Sequence, residues 1–128
     1  MAYRFASAAD RRAAAHAAIN ALDGPLSTHR RLDVRCRNSH HVAAVYEADG
    51  GLVYSATVGT RGHGGRDRVD AGHAGSDRCR AHADMLDTSG DLMSDDALPA
   101  SCECGPRTLS RSALLASVAD GVRHVIVD

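Results

Sequence analysis

The chain has no Lys and no Trp, and only one Phe and three Tyr among its 128 residues. All fifteen basic residues are Arg, so no single arginine can be read as chosen over Lys for its planar fork. A phosphate loop, which places Lys before Ser or Thr, is excluded. The aromatic shortage (Tyr3, Phe5, Tyr46, Tyr54) leaves Ala as the main apolar residue. Small side chains bury little area each, at roughly 25 cal/mol per Å². A core of that kind, with twelve glycines to order, gains from an added cross-link such as a metal. No apolar run reaches the length of a membrane span, and "AAAHAAINAL" is too interrupted for the apolar region of a secretory signal. Charge nearly balances, with a formal net of -1, unlike the basic composition of a dedicated nucleic-acid binder. These features predict one cytoplasmic domain with reduced thiols. In that setting, clustered Cys and His are metal ligands rather than disulfide partners.

What is present reads as an α+β domain. Residues 1–24 predict an N-terminal helix. Ser7 and Asp10 resemble a capping box, and Asp23-Gly24-Pro25 forms a stop with Gly24 at the left-handed position. Its apolar stripe (Ala8, Ala15, Ile19, Leu22) is thin, which suits a peripheral helix or one that packs where only small side chains fit. Residues 32–58 read as a strand ("LDVRC"), a knuckle and a hairpin. A three-residue loop, Asp49 to Gly51, would pair Tyr46 with Tyr54 and Ala44 with Ala56, gathering the apolar residues on one face. Residues 59–97 have no period and many glycines, and read as a long irregular insertion in which "DRCRAHADML" could form a short helix. Residues 98–128 give a CxC turn, a helix capped by Ser110 and ended by Gly121, and a final strand, "VRHVIVD", expected to be well buried. The basic "HRRLDVRCR" and the acidic "DMLDTSGDLMSDD" read as two solvated surfaces.

The chemistry lies in the cysteines. Cys36-x3-His40 falls at the turn between two predicted strands, and Cys102-x-Cys104 falls just before a helix. Two close-spaced pairs separated by a hairpin suit a tetrahedral site, and sulfur with neutral imidazole suits Zn²⁺ over Mg²⁺ or Ca²⁺. The expected ligands are Cys36, His40, Cys102 and Cys104. His41 is the rival for His40; the two point opposite ways along a strand, and His40 closes on the side of Cys36. A second cluster, His63, Asp67, Asp70, His73, Cys79 and His82, has no fixed metal-binding spacing and reads as a solvated loop.

"VRCRNSHHVAAVYEADGGLVYSATV", followed later by "PASCECGPRTLSRSALLASVADGVRHVIV", resembles small zinc-ribbon-like proteins of actinobacteria. Those join a C-x-x-G-H knuckle and hairpin to a CxCG turn, a helix and a terminal basic-apolar strand. Cys36, His40, Cys102, Cys104 and Gly105 match that pattern, over residues 32–59 and 99–128. Ser39 departs from it, standing where the pattern has Gly, and Asn38 beside it tolerates a left-handed conformation. The resemblance implies a zinc-ribbon-like core, a small antiparallel sheet with a C-terminal helix, to which the residues themselves add the N-terminal helix.

Three functional readings follow. The preferred one is a non-enzymatic module in which zinc is structural and a surface binds a protein or nucleoprotein partner, with RNA or DNA contact through Arg30, Arg31, Arg35 and Arg37. The alternatives are a metal-dependent hydrolase using His and Asp of the 59–82 segment, and a thiol redox protein using Cys102 and Cys104.

Overall fold

A computed structural model describes residues 5–56, 82–87 and 96–127. The order is α1 (Ala8–Asn20), a short 3-10 turn (Leu26–His29), β1 (Arg30–Cys36), β2 (His41–Ala48), β3 (Gly51–Ala56), β4 (His82–Met85), β5 (Ala97–Cys102), β6 (Gly105–Ser110), α2 (Arg111–Ala119) and β7 (His124–Val127). The fold is α+β. One sheet has the order β4-β3-β2-β1-β7, antiparallel except where β7 lies parallel to β1, and β5–β6 form a separate hairpin. Among the described residues no helix is long and apolar enough to cross a membrane.

The five-stranded sheet is covered on both faces, and this decides the register of the β2–β3 hairpin. On one face Tyr46, Val53 and Ala44 pack with Ala15 and Ile19 of α1 and with Ala83 and Met85. On the other, Val45, Tyr54, Ala43 and Ala56 pack with Leu98, Ala100 and Leu109 of the small hairpin and with Leu114 and Val118 of α2. The expected three-residue loop is therefore wrong. Ala48 pairs with Gly51 across a two-residue loop, Tyr46 faces Val53 and Val45 faces Tyr54. Distributing apolar residues over both faces carries no penalty when both are buried.

Other differences have similar causes. The segment expected to carry a helix through residue 86 is strand over 82–85, pairing Val53 with Met85 and Ala56 with His82. Its alternation places Ala83 and Met85 under α1, and Cys79 lies outside the described residues. β7 is not well buried. It lies at the sheet edge, with Val125 and Val127 half-buried and Ile126 63 % exposed. The β5–β6 hairpin holds Pro99 and Pro106, which a two-stranded ribbon tolerates because each strand has an open edge. At the end of α1, Gly24 has φ +73° as expected, but the helix has already stopped at Asn20 with Ala21 as its C-cap.

Both helix starts follow from sequence. Ser7 Oγ accepts from the Asp10 amide at 3.1 Å, and Ser110 Oγ accepts from the Ala113 amide at 3.1 Å. Asp96 adds a second cap at α2, taking the Ser110 hydroxyl at 2.6 Å and the Ser112 amide at 2.8 Å. Those bonds, the Ser110 hydroxyl foremost, hold its carboxyl below the ordinary range.

One buried ionic cluster joins the layers. Asp84 on β4 receives Arg11 from α1 at 2.5 and 3.1 Å and Arg111 from α2 at 3.2 Å. Arg111 also donates to the Met85 carbonyl. All three side chains are buried. Burial works against the Asp84 charge, but the two guanidiniums outweigh it and hold the carboxyl below its usual value. Asp84 thus does not belong to a solvated acidic surface.

Candidate metal centre

Two tight hairpin tips face each other across the edge of the core. The first connects β1 to β2. The Cys36 amide donates to the His40 carbonyl at 3.0 Å, and the Ser39 amide donates to the Cys36 carbonyl at 2.8 Å. This turn requires a left-handed residue, and Ser39 takes it with φ +68°. The left-handed position thus falls on Ser39 and not on Asn38. The second tip connects β5 to β6. Cys102 pairs with Gly105, leaving Glu103-Cys104 as the turn, and Gly105 has φ +126°, which L side chains rarely adopt.

Between the tips, one ligand atom from each of Cys36, His40, Cys102 and Cys104 lies within 4.8 Å of all the others. That spacing is close enough to hold a metal ion. Cys36 and Cys102 are buried, His40 is half-buried and Cys104 is exposed. His40 Nδ1 is the nitrogen turned inward, 3.3 Å from Cys104 Sγ. Its Nε2 faces Glu103 Oε1 at 3.6 Å. His41 points elsewhere: its Nδ1 lies 3.3 Å from Asp33 Oδ1.

The sulfurs sit in a shell of N–H donors. Asn38 Nδ2 donates to Cys104 Sγ at 3.2 Å. The Cys104 amide and Arg107 Nη2 donate to Cys102 Sγ at 3.4 and 3.3 Å. Burial opposes ionisation of Cys36, but backbone donors from His40 and Asn38 and the neighbouring thiols overcome it and bring the group down to about 7. Cys104 behaves oppositely. The Asn38 amide favours its thiolate, yet burial and the sulfurs of Cys36 and Cys102 together push the thiol up. Thiolates crowded at this distance repel one another, and a cation among them would offset that repulsion.

Sequence reasoning missed Arg107 and Glu103 as neighbours of the cluster. Both lie within "CECGPRT", and a hairpin reading of that stretch would have found them. It also grouped Arg30, Arg31, Arg35 and Arg37 as one contact surface near the knuckle. Arg35 and Arg37 are there, with Arg35 donating to Asp33 at 2.8 Å and to the Ser39 carbonyl at 3.1 Å. Arg30 and Arg31 begin β1, six and five residues from Cys36, or about 17–20 Å along the strand. Arg31 pairs with Glu47 at 3.1 Å, and Arg30 lies over the Tyr46 ring.

Of the second cluster, His63, Asp67, Asp70, His73 and Cys79 lie outside the described residues. His82 sits edge-on to Tyr54, with ring centroids 6.2 Å apart, and burial holds its imidazole below the ordinary value. Comparison with protein-family models, with curated proteins and with solved structures gives no match to the chain.

Proposed function

We propose that this chain is a structural-zinc module that binds a protein or nucleoprotein partner and carries out no reaction. The single observation that carries this reading is the convergence of Cys36, His40, Cys102 and Cys104 to within 4.8 Å. Three thiolates and an imidazole are a tetrahedral set suited to Zn²⁺. Four protein ligands leave zinc no place for water, so the metal fixes structure instead of activating a nucleophile. The donor shell supports the same reading, because N–H groups aimed at sulfur stabilise the charge of bound thiolates. The resemblance to zinc-ribbon-like proteins is consistent with it, and thiols kept for a metal fit a reducing, cytoplasmic setting. Partner contact is assigned to the arginines flanking the knuckle and at the start of β1.

Elemental analysis of the purified chain tests the reading. One zinc per chain is expected, lost in Cys36→Ala and Cys102→Ala. Cysteine alkylation should be slow until a chelator is added. Metal-free protein with native spectra and rapidly alkylated thiols would favour thiol redox chemistry. Two tightly held ions per chain would favour a hydrolytic centre.

A further inference from the structure

The three sulfurs of the metal centre are not equivalent. Cys36 and Cys102 are buried, and Cys104 is exposed. Their hydrogen-bond donors differ in the same direction. Backbone N–H groups of His40 and Asn38 face Cys36. Cys102 takes the Cys104 amide at 3.4 Å and the charged Arg107 Nη2 at 3.3 Å. Arg107 Nε and Nη1 are buried without a hydrogen-bond partner, so this sulfur is the one acceptor the guanidinium has among the described residues. Cys104 is held more thinly. Apart from the ligand nitrogen of His40, only the neutral Asn38 Nδ2 reaches it, at 3.2 Å. An N–H aimed at a thiolate stabilises its charge and makes it a weaker nucleophile, and burial shuts a reagent out. Cys104 alone is both open to solvent and served by a single donor.

We propose that Cys104 is the oxidation site of the metal centre, with a hydroperoxide as its reagent and Cys36 as its resolving partner. The Cys104 thiolate attacks the outer peroxide oxygen. An S–O bond forms, the O–O bond breaks, and the other oxygen leaves as hydroxide or alkoxide and takes a proton from water. Sulfur loses two electrons and the peroxide gains them. The Cys36 thiolate then attacks Cys104 Sγ, forming S–S as S–O breaks and hydroxide leaves. Cys36 suits this step because it belongs to the facing hairpin tip, with its sulfur within 4.8 Å of Cys104; the bridge closes that gap to about 2 Å. Cys102 suits it less, since it shares a tight turn with Cys104 and is engaged by two donors of its own. The bridge ties tip to tip covalently and leaves only His40 and Cys102 for the metal, fewer ligands than a closed structural site has. A reducing thiol reverses it. The proposal deepens the structural-zinc reading and rests on it, adding release of the ion by an oxidant as the regulation of that site.

The test is oxidation of the zinc-loaded full chain with one equivalent of hydrogen peroxide. Zinc content is measured first, released zinc is followed with a chromogenic chelator, and sulfenic acid is trapped with dimedone. Peptide mapping reads every cysteine separately, Cys79 included. Within the cluster the dimedone label should fall first on Cys104. A Cys36–Cys104 bridge should form with one zinc released per bridge, and dithiothreitol with added zinc should restore the starting state. Asn38→Ala, which removes the Cys104 donor, should release zinc a few-fold faster per zinc bound. A chain that purifies without zinc defeats the structural-zinc reading and this proposal with it. In a zinc-loaded chain, labelling of Cys36 or Cys102 ahead of Cys104, a Cys104 bridge to any residue but Cys36, zinc retained after the bridge forms, or release from Asn38→Ala at the parent's rate overturns this proposal alone.

Discussion

Replacing Asp84 with Ala tests the buried ionic cluster most directly. In the native fold one carboxylate holds two guanidiniums, Arg11 at 2.5 Å and Arg111 at 3.2 Å, with all three groups withdrawn from water. Without it, two like charges from α1 and α2 share a site that lacks the anion binding both. Breaking a buried ion pair by removing one partner costs about 3–5 kcal/mol, against a total of roughly 5–15 kcal/mol for a domain. For a chain of this length that corresponds to a fall in melting temperature of roughly 12–20 °C. Arg11→Met should be milder, because it leaves Asp84 and Arg111 as a one-to-one pair and replaces a buried stem with one of similar length. Urea unfolding followed by circular dichroism, with zinc held in excess, measures both variants. The reasoning fails if Asp84→Ala unfolds within 1 kcal/mol of the parent, or if Arg11→Met is as damaging as Asp84→Ala.

Four further outcomes are expected. Chelation should unfold the chain or lower its melting point sharply, because structural zinc supplies roughly 10–16 kcal/mol of apparent binding free energy; a chelator-resistant fold in calorimetry would contradict this. Ser39→Gly should stabilise the metal-loaded protein by about 1 kcal/mol, since it relieves a left-handed residue that carries a Cβ, and thermal melts would detect the gain. Histidine ¹⁵N shifts should show His40 metallated at Nδ1, the nitrogen that faces Cys104; metallation at Nε2 would contradict the geometry. The Asp33 carboxyl is opposed by burial but held below its ordinary value by Arg35. Its contribution is therefore present above the unfolded value of about 3.9 and is lost as pH falls through the folded one. In urea titrations the difference between parent and Asp33→Asn should be full above about pH 5 and shrink below about pH 4.

Much of the local chemistry was legible in the sequence. Ser7 and Ser110 announce two helix starts because a hydroxyl at the cap has one obvious use, and Gly121, with φ +79°, ends α2 as expected. The four residues of the candidate metal cluster could be named because Cys and His at such close spacing suit shared metal ligation. What escaped was long-range. The register of β2 and β3 depends on whether one or both faces are covered, and no residue of the hairpin reveals that α1 lies beneath it. Arg11 sits in an Ala-rich helix, where an arginine reads as solvated; its buried partner Asp84 lies 73 residues away in sequence. The strand at 82–85 is four residues long, too short for its alternation to outweigh a helical reading. Apolar composition likewise suggested a central place for β7, yet edge position depends on strand order, which sequence alone left open.

The two halves of the candidate metal cluster are separated by the 61 residues between His40 and Cys102, and that chain leaves and returns at hairpin tips. Once the ends of so long an excursion are tied, lengthening it adds only the logarithmic cost of a larger ring, about 0.6 kcal/mol for each doubling. The segment joining β3 to β4 can therefore gain or shed residues over evolution while the framework around it keeps its shape. Diversity in this architecture should accumulate there, in the number of residues as much as in their identity.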